Sequence, residues 1–273
     1  MIVPFTKMHG LGNDFIVIDG LKTKLSEPVA FAKKYCDRHF GIGADQLLIV
    51  DTSDKADFTM RIYNADGSEV EMCGNGIRCV AKFIHDMKLS AKTTFAIETL
   101  AGIMYPELVN GNVTVNMGRP VLHPDKIPVL MDGESVIQRP INIGSVSFNI
   151  TAVSMGNPHC VIFVDDPGRI DLKTIGPDIE NHIVFPNRTN VEFVTVTGED
   201  EIMVKVWERG SGITLACGTG ACASAVAAVL NNKTGRNVTV HLPGGTLQIE
   251  WLEEGPVFMT GPAETVFTGT VEI

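Results

Sequence analysis

The feature that most constrains the fold is an internal repeat, because the two halves of the chain match at a single offset of 144 positions. Four separated segments share this offset. They pair Gly12-Asn13 with Gly156-Asn157, Gln46 with Asn190, Arg61-Ile62-Tyr63 with Lys205-Val206-Trp207, and Cys73-Gly74-Asn75-Gly76 with Cys217-Gly218-Thr219-Gly220. Single strand-like patterns often coincide by chance, but four segments rarely share one offset. We therefore predict two homologous domains related by an approximate two-fold axis.

Short apolar runs, rich in β-branched residues and separated by turn residues, predict strands along the whole chain. They cover residues 15–18, 47–50, 94–97, 113–115, 160–164, 191–196, 202–207, 238–241 and 246–251. The residues that instead follow the spacing of one helix face are Ile77, Val80, Ala81, Ile84 and Met87. Residues 221–230 are apolar on nearly every side, which is typical of a helix buried all round. Many strands with one long helix per half predict an α+β fold.

Composition and charge narrow the function. Hydrophobic residues make up 44% of the 273 residues and charged residues 20%, which is enough apolar material to build a folded core. The net charge of -10, without any basic run, disfavours a nucleic-acid partner. The N-terminal residues do not form a signal-peptide pattern, and no apolar run is long enough for a bilayer. We therefore predict a cytoplasmic protein that does not act on a membrane.

The chain contains six cysteines, which we interpret as thiols because a cytosolic chain of this size does not need disulfides. Two pairs are close in sequence, Cys73 with Cys79 and Cys217 with Cys222. Their C-x5-C and C-x4-C spacings do not match the CxxC pairs of zinc knuckles. We therefore predict no metal site.

Cys73 and Cys217 each precede a Gly-x-Gly sequence and then a predicted helix, which places each thiol at a helix N-terminus. Free backbone N–H groups there bind anions, and the helix dipole favours the thiolate. Two such motifs related by a two-fold axis could face each other, so that one sulfur removes an α-proton and the other protonates the opposite face. Buried core cysteines would explain one such motif but not its duplication. We predict that Cys73 and Cys217 are an acid/base pair that inverts a carbon centre.

Three further polar residues stand near these motifs. His159 follows Gly156-Asn157-Pro158 and could accept a proton from a catalytic thiol, although a structural histidine fits the spacing equally well. Glu208 and Arg209 adjoin Gly210-Ser211-Gly212, where they fit either a solvated pair at a strand end or a ligand site. The residues alone leave both alternatives open.

Seven segments together resemble the diaminopimelate epimerase family. They are MHGLGNDFIVID (8–19), GIGADQLLIV (41–50), NADGSEVEMCGNGIRC (64–79), MGNPHCVIFVDD (155–166), FPNRTNVEFVTV (185–196), WERGSGITLACGTGACA (207–223) and TGRNVTVHLPGG (234–245). The resemblance runs nearly end to end, and the two cysteine motifs are highly specific together. One departure is Ile213, where many relatives carry Glu, and it concerns only local loop contacts.

The resemblance implies an enzyme that interconverts LL- and meso-2,6-diaminopimelate in lysine and peptidoglycan precursor synthesis, without pyridoxal phosphate or another cofactor. It implies two similar domains, each a mostly antiparallel, barrel-like sheet wrapped around a central helix. We expect these domains to cover residues 1–117 with 263–273, and residues 118–262. A homodimer is an expectation from the family alone.

The resemblance also assigns roles to individual residues. It implies that Cys73 and Cys217 are catalytic and that His159 and Glu208 tune their pKa values. The implied substrate contacts are Asn13, Gln46, Asn64, Gly74, Asn75, Asn157, Asn190, Glu208, Arg209, Gly218 and Thr219. Arg209 would pair with the distal carboxylate, which a planar bidentate donor suits best.

Two other functions remain as alternatives. One is another two-cysteine racemase, such as one acting on proline, but a polar clamp of Arg209, Asn157 and Asn190 would have no second carboxylate to hold there. The other is a redox-switch or binding protein in which Cys73 and Cys217 form a disulfide. Conversion of LL-diaminopimelate into the meso isomer would separate all three.

Overall fold

The computed structural model describes residues 1–273 and divides into two compact units. The first comprises Met1–Asn116 and Thr260–Ile273, and the second comprises Met117–Met259. Each unit is built mainly from one mixed sheet and two α-helices, which confirms the predicted α+β class.

Four α-helices are interspersed among 19 strands along the chain. The helices are α1 (Pro28–Tyr35), α2 (Gly74–Asp86), α3 (Leu172–Glu180) and α4 (Gly218–Leu230). The strands are β1 (Ile2–Gly10), β2 (Asn13–Asp19), β3 (Gln46–Asp51), β4 (Phe58–Asn64), β5 (Glu69–Val70), β6 (Ile97–Thr99), β7 (Gly102–Met104), β8 (Glu107–Val109), β9 (Asn112–Asn116), β10 (Arg139–Ile143), β11 (Val146–Ser154), β12 (Pro158–Phe163), β13 (Asn190–Gly198), β14 (Glu201–Glu208), β15 (Gly212–Ile213), β16 (Asn237–Leu242), β17 (Gly245–Trp251), β18 (Val257–Gly261) and β19 (Glu264–Glu272). None of the helices combines the length and the hydropathy that crossing a membrane would require.

In the first unit the strand order is β19-β1-β2-β3-β4-β6-β7, with β5 paired to β4. Neighbouring strands are antiparallel except for the parallel pairs β2–β3 and β4–β6. Helix α2 packs against β1, β2, β3 and β4. Helix α1 covers the opposite face, where Phe31 and Tyr35 join Ile16 and Leu47 in one buried cluster. Because both faces are covered, β2 and β3 are continuous apolar runs rather than alternating ones.

The second unit repeats the same order as β10-β11-β12-β13-β14-β16-β17, with β15 paired to β14 and β18 beyond β17. Its parallel pairs, β12–β13 and β14–β16, fall at the corresponding places. Helix α4 packs against six of these strands, β11 to β14, β16 and β17. One connection differs: β10 directly precedes β11, whereas the corresponding β19 reaches β1 only after the whole second unit.

The two central helices confirm the prediction of one long helix per half. Helices α2 and α4 have 13 residues each, and their first residues, Gly74 and Gly218, are 144 positions apart. Helix α4 is buried on nearly every side, from Gly218 to Ala228. Its small Ala, Gly and Ser side chains let the surrounding strands approach closely. The helix has no polar face because strands surround it.

Two details differ from the sequence prediction. The predicted strand at residues 94–97 is wrong over its first three residues, because β6 begins only at Ile97. The N–H of Ala96 donates to the Asp57 carboxylate at 3.0 Å instead of to a neighbouring strand. The short helices α1 and α3 were not predicted. Helix α3 is interrupted in sequence by Gly176 and Pro177, which hide its helical pattern.

Candidate active site

Cys73 is the N-cap residue of α2. Its backbone is extended, and its Sγ accepts a hydrogen bond from the N–H of Gly76 at 3.4 Å. A sulfur thus takes the place of the Ser, Thr or Asp oxygen that usually caps a helix. The side chain is half-buried. The prediction that this thiol lies at a helix N-terminus is therefore confirmed.

Side-chain amides surround the Cys73 sulfur. Its thiol donates to Asn13 Oδ1 at 3.6 Å, and Asn75 Nδ2 donates to the same oxygen at 3.3 Å. Asn13 Nδ2 in turn donates to Asp45 Oδ2 at 2.8 Å. The structure therefore brings together three residues that the sequence assigned to one site, and Asp45 holds the Asn13 amide in place.

Arg78 is a supporting residue that the sequence analysis missed. Its guanidinium is fully buried, and it donates to Asn75 Oδ1 at 2.9 Å, to the Gly74 carbonyl at 3.2 Å and to the Pro262 carbonyl at 3.2 Å. A buried guanidinium with several fixed acceptors orients the Asn75 side chain. The repeat offered one sign that Arg78 is unusual, because the corresponding position in the buried helix α4 is the uncharged Cys222.

Gln46 and Asn64 form a second amide pair in the first unit. They are directly opposite in the β3–β4 register, and Gln46 Nε2 donates to Asn64 Oδ1 at 2.8 Å. Asn64 Nδ2 donates to Ser68 Oγ at 2.9 Å. These contacts join two predicted substrate-binding residues. They also determine which donors and acceptors of each amide remain available to a substrate.

Cys217 is the N-cap of α4 and repeats the geometry of Cys73. Its Sγ accepts from the N–H of Gly220 at 3.4 Å and contacts Thr219 Oγ1 at 3.5 Å. The residue is buried, whereas Cys73 is half-buried. Burial, followed by the charges of Glu208 and Glu192, raises the pKa of the Cys217 thiol well above its ordinary value, against the smaller opposing effect of the Thr219 and Gly220 hydrogen bonds. The N–H of Gly220 at the helix N-terminus does favour the Cys217 thiolate, as expected, but desolvation and the two carboxylates outweigh this effect.

His159 lies beneath this part of the second unit, in a fully buried pair with Glu192. His159 Nδ1 is 2.7 Å from Glu192 Oε1, and His159 Nε2 is 3.0 Å from Asn157 Oδ1. Burial raises the pKa of the Glu192 carboxyl, although His159 opposes this effect. Glu192 was missed because a charged residue in the middle of β13 fits a solvent-facing position equally well. The one sign that both faces of β13 are covered was the apolar Leu48, which corresponds to Glu192 in the first unit and is buried in the structure.

The remaining predicted residues of the second unit surround the turn after β14. Asn190 Nδ2 donates to the Pro158 carbonyl at 2.8 Å, and Asn190 Oδ1 accepts from the Arg209 N–H at 2.9 Å. The exposed Arg209 guanidinium donates to the Asn187 carbonyl at 3.1 Å, which leaves most of its donors directed to solvent. Glu208 accepts from Thr214 Oγ1 at 2.5 Å.

Glu180, on α3, is a third residue that the sequence analysis missed. Its carboxylate accepts from Trp207 Nε1 at 2.7 Å, from the Gly210 N–H at 3.0 Å and from Arg188 Nη1 at 3.1 Å. The side chain is nearly fully buried. These three hydrogen bonds hold the turn that carries Arg209 in place. Glu180 therefore affects the site by fixing the backbone of this turn.

Each unit therefore contains one thiol and a share of the predicted site residues, several of which are hydrogen-bonded to one another. The residues of the first unit are Asn13, Gln46, Asn64, Gly74 and Asn75 with Cys73, and those of the second unit are Asn157, His159, Asn190, Glu208, Arg209, Gly218 and Thr219 with Cys217. No group of three or more His, Cys, Asp and Glu side chains is arranged to hold a metal ion. Each unit combines a thiol, buried or partly buried side-chain amides and a helix N-terminus that can bind an anion.

Solved structures show which class of protein has this fold. The chain resembles a PhzF-family phenazine biosynthesis protein from Bacillus anthracis, with a TM-score of 0.70, 18% identity and full coverage of both chains. It also resembles a hydroxyproline epimerase from Agrobacterium vitis, with a TM-score of 0.69 and 15% identity over 99% of this chain and 92% of that one. The fold is therefore that of the PhzF proteins and the proline racemase-like epimerases.

Sequence comparison identifies the family. A sequence profile of the diaminopimelate epimerase family matches residues 5–123 and 151–266. The diaminopimelate epimerase of Desulfitobacterium hafniense is 54% identical over 97% of this chain and 96% of its own, and that of Halothermothrix orenii is 53% identical over 100% and 99%. The chain belongs to the diaminopimelate epimerase family, which is a family of isomerases. The resemblance noted in the sequence is confirmed.

Proposed function

We propose that this protein interconverts LL- and meso-2,6-diaminopimelate by moving one proton at the α-carbon, with Cys73 and Cys217 as its acid and base and without a cofactor. The observation that carries the proposal is the duplicated thiol cap: each sulfur accepts the N–H of a glycine three residues later, Gly76 or Gly220, at 3.4 Å. Family membership supports the substrate, and the duplication supports a reaction with two equivalent proton-transfer groups.

Inversion requires a base on one face of the α-carbon and an acid on the other. In the proposed reaction one sulfur, as thiolate, removes the α-proton, and the other, as thiol, donates its proton to the opposite face. Between the two proton transfers, negative charge forms on the α-carbon and is delocalised into the substrate's α-carboxylate. The N–H groups of Gly74 and Asn75, and those of Gly218 and Thr219, are preorganised donors for that charge, each worth about 3 to 4 kcal/mol in comparable sites.

Recognition of the distal end is assigned to the polar residues of the turn after β14. The Arg209 guanidinium suits a second carboxylate, because its planar fork can donate two parallel hydrogen bonds. Glu208, Asn157 and Asn190 supply acceptors for an ammonium group nearby, and Asn13, Gln46 and Asn64 do so from the first unit. Proline has no second carboxylate, and for this reason we favour diaminopimelate over a proline-like substrate.

The remaining features of the proposal concern the setting of the enzyme. All six cysteines are free thiols, which suits the reducing cytoplasm, where lysine and peptidoglycan precursors are made. A homodimer is proposed from the family resemblance alone. Light scattering of the purified protein tests it directly.

The deciding experiment compares Cys73→Ala and Cys217→Ala with Cys36→Ala, a buried cysteine outside the motif. Each enzyme is incubated with LL-diaminopimelate in deuterated water, and the isomers are separated and weighed by mass spectrometry. We expect both motif variants to lose turnover and the Cys36 variant to keep it. Wild-type product formed early should carry one deuterium at the inverted carbon. Substantial turnover by either motif variant, or activity on proline in place of diaminopimelate, contradicts the proposal.

A further inference from the structure

The two units share one backbone plan, but the side chains beneath their thiols differ in polarity. Phe15 and Leu48 of the first unit correspond, 144 positions later, to His159 and Glu192 of the second. All four side chains are fully buried, with the aromatic and aliphatic pair in one unit and the ionisable pair in the other. Burial of ionisable side chains is costly even when they are paired and hydrogen-bonded, so a hydrocarbon pair would be the cheaper choice at these positions.

A second position changes in the same sense. Asn64, which bonds to Gln46 in the first unit, corresponds to Glu208 in the second. Two neutral side chains of the first unit are therefore replaced by carboxylates in the second. The electrostatic surroundings of the two thiols therefore differ, although each sulfur accepts the same backbone hydrogen bond from a glycine.

Gly220 shows how closely Glu192 approaches Cys217. A Cβ added at Gly220 would lie 2.8 Å from Glu192 Oε1 and 3.3 Å from Cys217 Sγ, so the carboxylate and the sulfur flank the same glycine. The corresponding Gly76 would meet Leu48 Cδ2 at 3.4 Å instead. In the first unit, hydrocarbon thus occupies the place that the carboxylate takes in the second.

His159 fixes the position of this carboxylate. Oxygens face both ring nitrogens, Glu192 Oε1 at 2.7 Å and Asn157 Oδ1 at 3.0 Å. The bond to the ring therefore holds Oε1 beside Gly220, and the second oxygen, Oε2, is buried without a hydrogen-bond partner.

We propose that Glu192, held by His159, is a positioning residue that keeps the Cys217 sulfur protonated in the resting enzyme, so that Cys73 begins the reaction as the base. This inference rests on the proposed acid/base roles of the two thiols. A thiolate at Cys217 would form close to Oε1 of Glu192, on the other side of Gly220, in a site from which water is largely excluded.

The titratable groups around Cys217 act in the same direction. Burial raises the pKa of this thiol, and the charges of Glu208 on β14 and Glu192 on β13 raise it further. On β12, His159 lowers the pKa of Glu192 against the larger effect of burial, and burial raises the pKa of the Cys160 thiol well above its ordinary value. The two carboxylates that shift the pKa of Cys217 therefore both disfavour a resting thiolate there.

The proton balance of one turnover follows from this assignment. The Cys73 thiolate takes the α-proton and becomes a thiol, while the Cys217 thiol gives its proton to the opposite face and becomes a thiolate. Product then leaves with as many protons as the substrate had. The resting enzyme is restored when Cys73 loses a proton to water and Cys217 gains one from water.

The test measures the pH dependence of iodoacetamide alkylation at each thiol, read by peptide mass spectrometry. In the wild-type enzyme we expect the alkylation midpoint of Cys73 to lie at lower pH than that of Cys217. The isosteric Glu192→Gln variant should lower the Cys217 midpoint by about one pH unit, because a neighbouring negative charge is removed, and leave the Cys73 midpoint unchanged. Glu192→Asp, which restores the charge, should return the Cys217 midpoint toward the wild-type value.

Glu180→Gln is the matched control, because Glu180 is also a buried carboxylate of this unit but bonds to Trp207, Gly210 and Arg188 rather than to His159. It should leave the Cys217 midpoint unchanged. The basic limb of the kcat/KM profile reports the deprotonation of the second thiol, so it should move to lower pH in Glu192→Gln alone.

Two results overturn the inference. One is a wild-type Cys217 midpoint at or below that of Cys73, a measurement that needs no variant to fold. The other is an unchanged Cys217 midpoint in Glu192→Gln. If either occurs while Cys217→Ala is inactive, the proposed reaction stands and only the role of Glu192 fails. Turnover by Cys217→Ala would instead overturn the proposed reaction itself.

Discussion

Replacing Gly220 by Ala should destabilise the protein, whereas the same change at the corresponding Gly76 should not. Both residues lie in the first turn of a central helix, where Ala is favoured over Gly by roughly 1 kcal/mol. At Gly76 the new methyl group would lie 3.3 Å from Cys73 Cβ and 3.4 Å from Leu48 Cδ2, contacts that small shifts relieve. We therefore expect Gly76→Ala to be neutral or to stabilise by up to about 1 kcal/mol.

At Gly220 the methyl group would lie 2.8 Å from Glu192 Oε1, and the carboxylate is held there by His159. Overpacking of a buried site costs about 1–3 kcal/mol; an approach of 2.8 Å to a carboxylate that His159 holds in place corresponds to the upper part of that range, about 2–3 kcal/mol, from which the helix-propensity gain of roughly 1 kcal/mol is subtracted. We expect a net loss of about 1–2 kcal/mol. The methyl would also push on the Cys217 sulfur, 3.3 Å away, so turnover should fall as well.

Urea denaturation measures both changes, because the midpoint shifts with stability while the slope reports the surface exposed. The two tryptophans, Trp207 and Trp251, both lie in the second unit, so their fluorescence follows the unit that contains Gly220. Circular dichroism follows the helices and strands of both units. A Gly220→Ala variant as stable as wild type, or a Gly76→Ala variant that loses as much, would refute the packing argument.

Three further outcomes follow from the structure. Arg209→Lys should raise KM for diaminopimelate about tenfold with little change in kcat, since lysine keeps the charge but loses the bidentate fork; an unchanged KM places the distal carboxylate elsewhere. Although burial opposes it, hydrogen bonds from Arg38 and Lys7 hold the pKa of Asp14 well below its ordinary value. Asp14→Asn should therefore cost about 1–3 kcal/mol at neutral pH, and the difference should shrink as pH falls below about 4, where the unfolded chain binds the proton first; a pH-independent difference in unfolding free energy argues against this. Burial raises the pKa of Cys79 to about 12, so native protein should resist iodoacetamide at this thiol until denatured, and rapid native alkylation there would show that the helix opens.

The repeat made much of the fold predictable from sequence. Both central helices begin one residue after a cysteine that was predicted to lie at a helix N-terminus, because Gly-x-Gly followed by a helical pattern is typical of a helix start. The strands of β2 and β3 were found from their continuous apolar runs. The short helices α1 and α3 were missed, since eight or nine residues carry too little periodicity to be distinguished from a loop.

The thiols and amides of the site were predictable, but the residues that support them were not. Arg78 and Glu192 are charged side chains in positions that a single helix or strand pattern assigns to the surface. They are buried because each sheet is covered on both faces, which is a property of the assembled unit rather than of any one segment. For the same reason, the sequence did not reveal that desolvation outweighs the helix N-terminus in setting the pKa of Cys217.

The edge strand β19 has a consequence for the order in which the protein can form on the ribosome. It pairs with β1 from Ile2↔Glu272 to His9↔Glu264, so the sheet of the first unit needs residues that are synthesised after the entire second unit. The second unit has its own edge strand, β10, next to β11 in the chain, and can complete its sheet during translation. The half that is made first is therefore finished last, and β1 exposes an unpaired edge until β19 arrives.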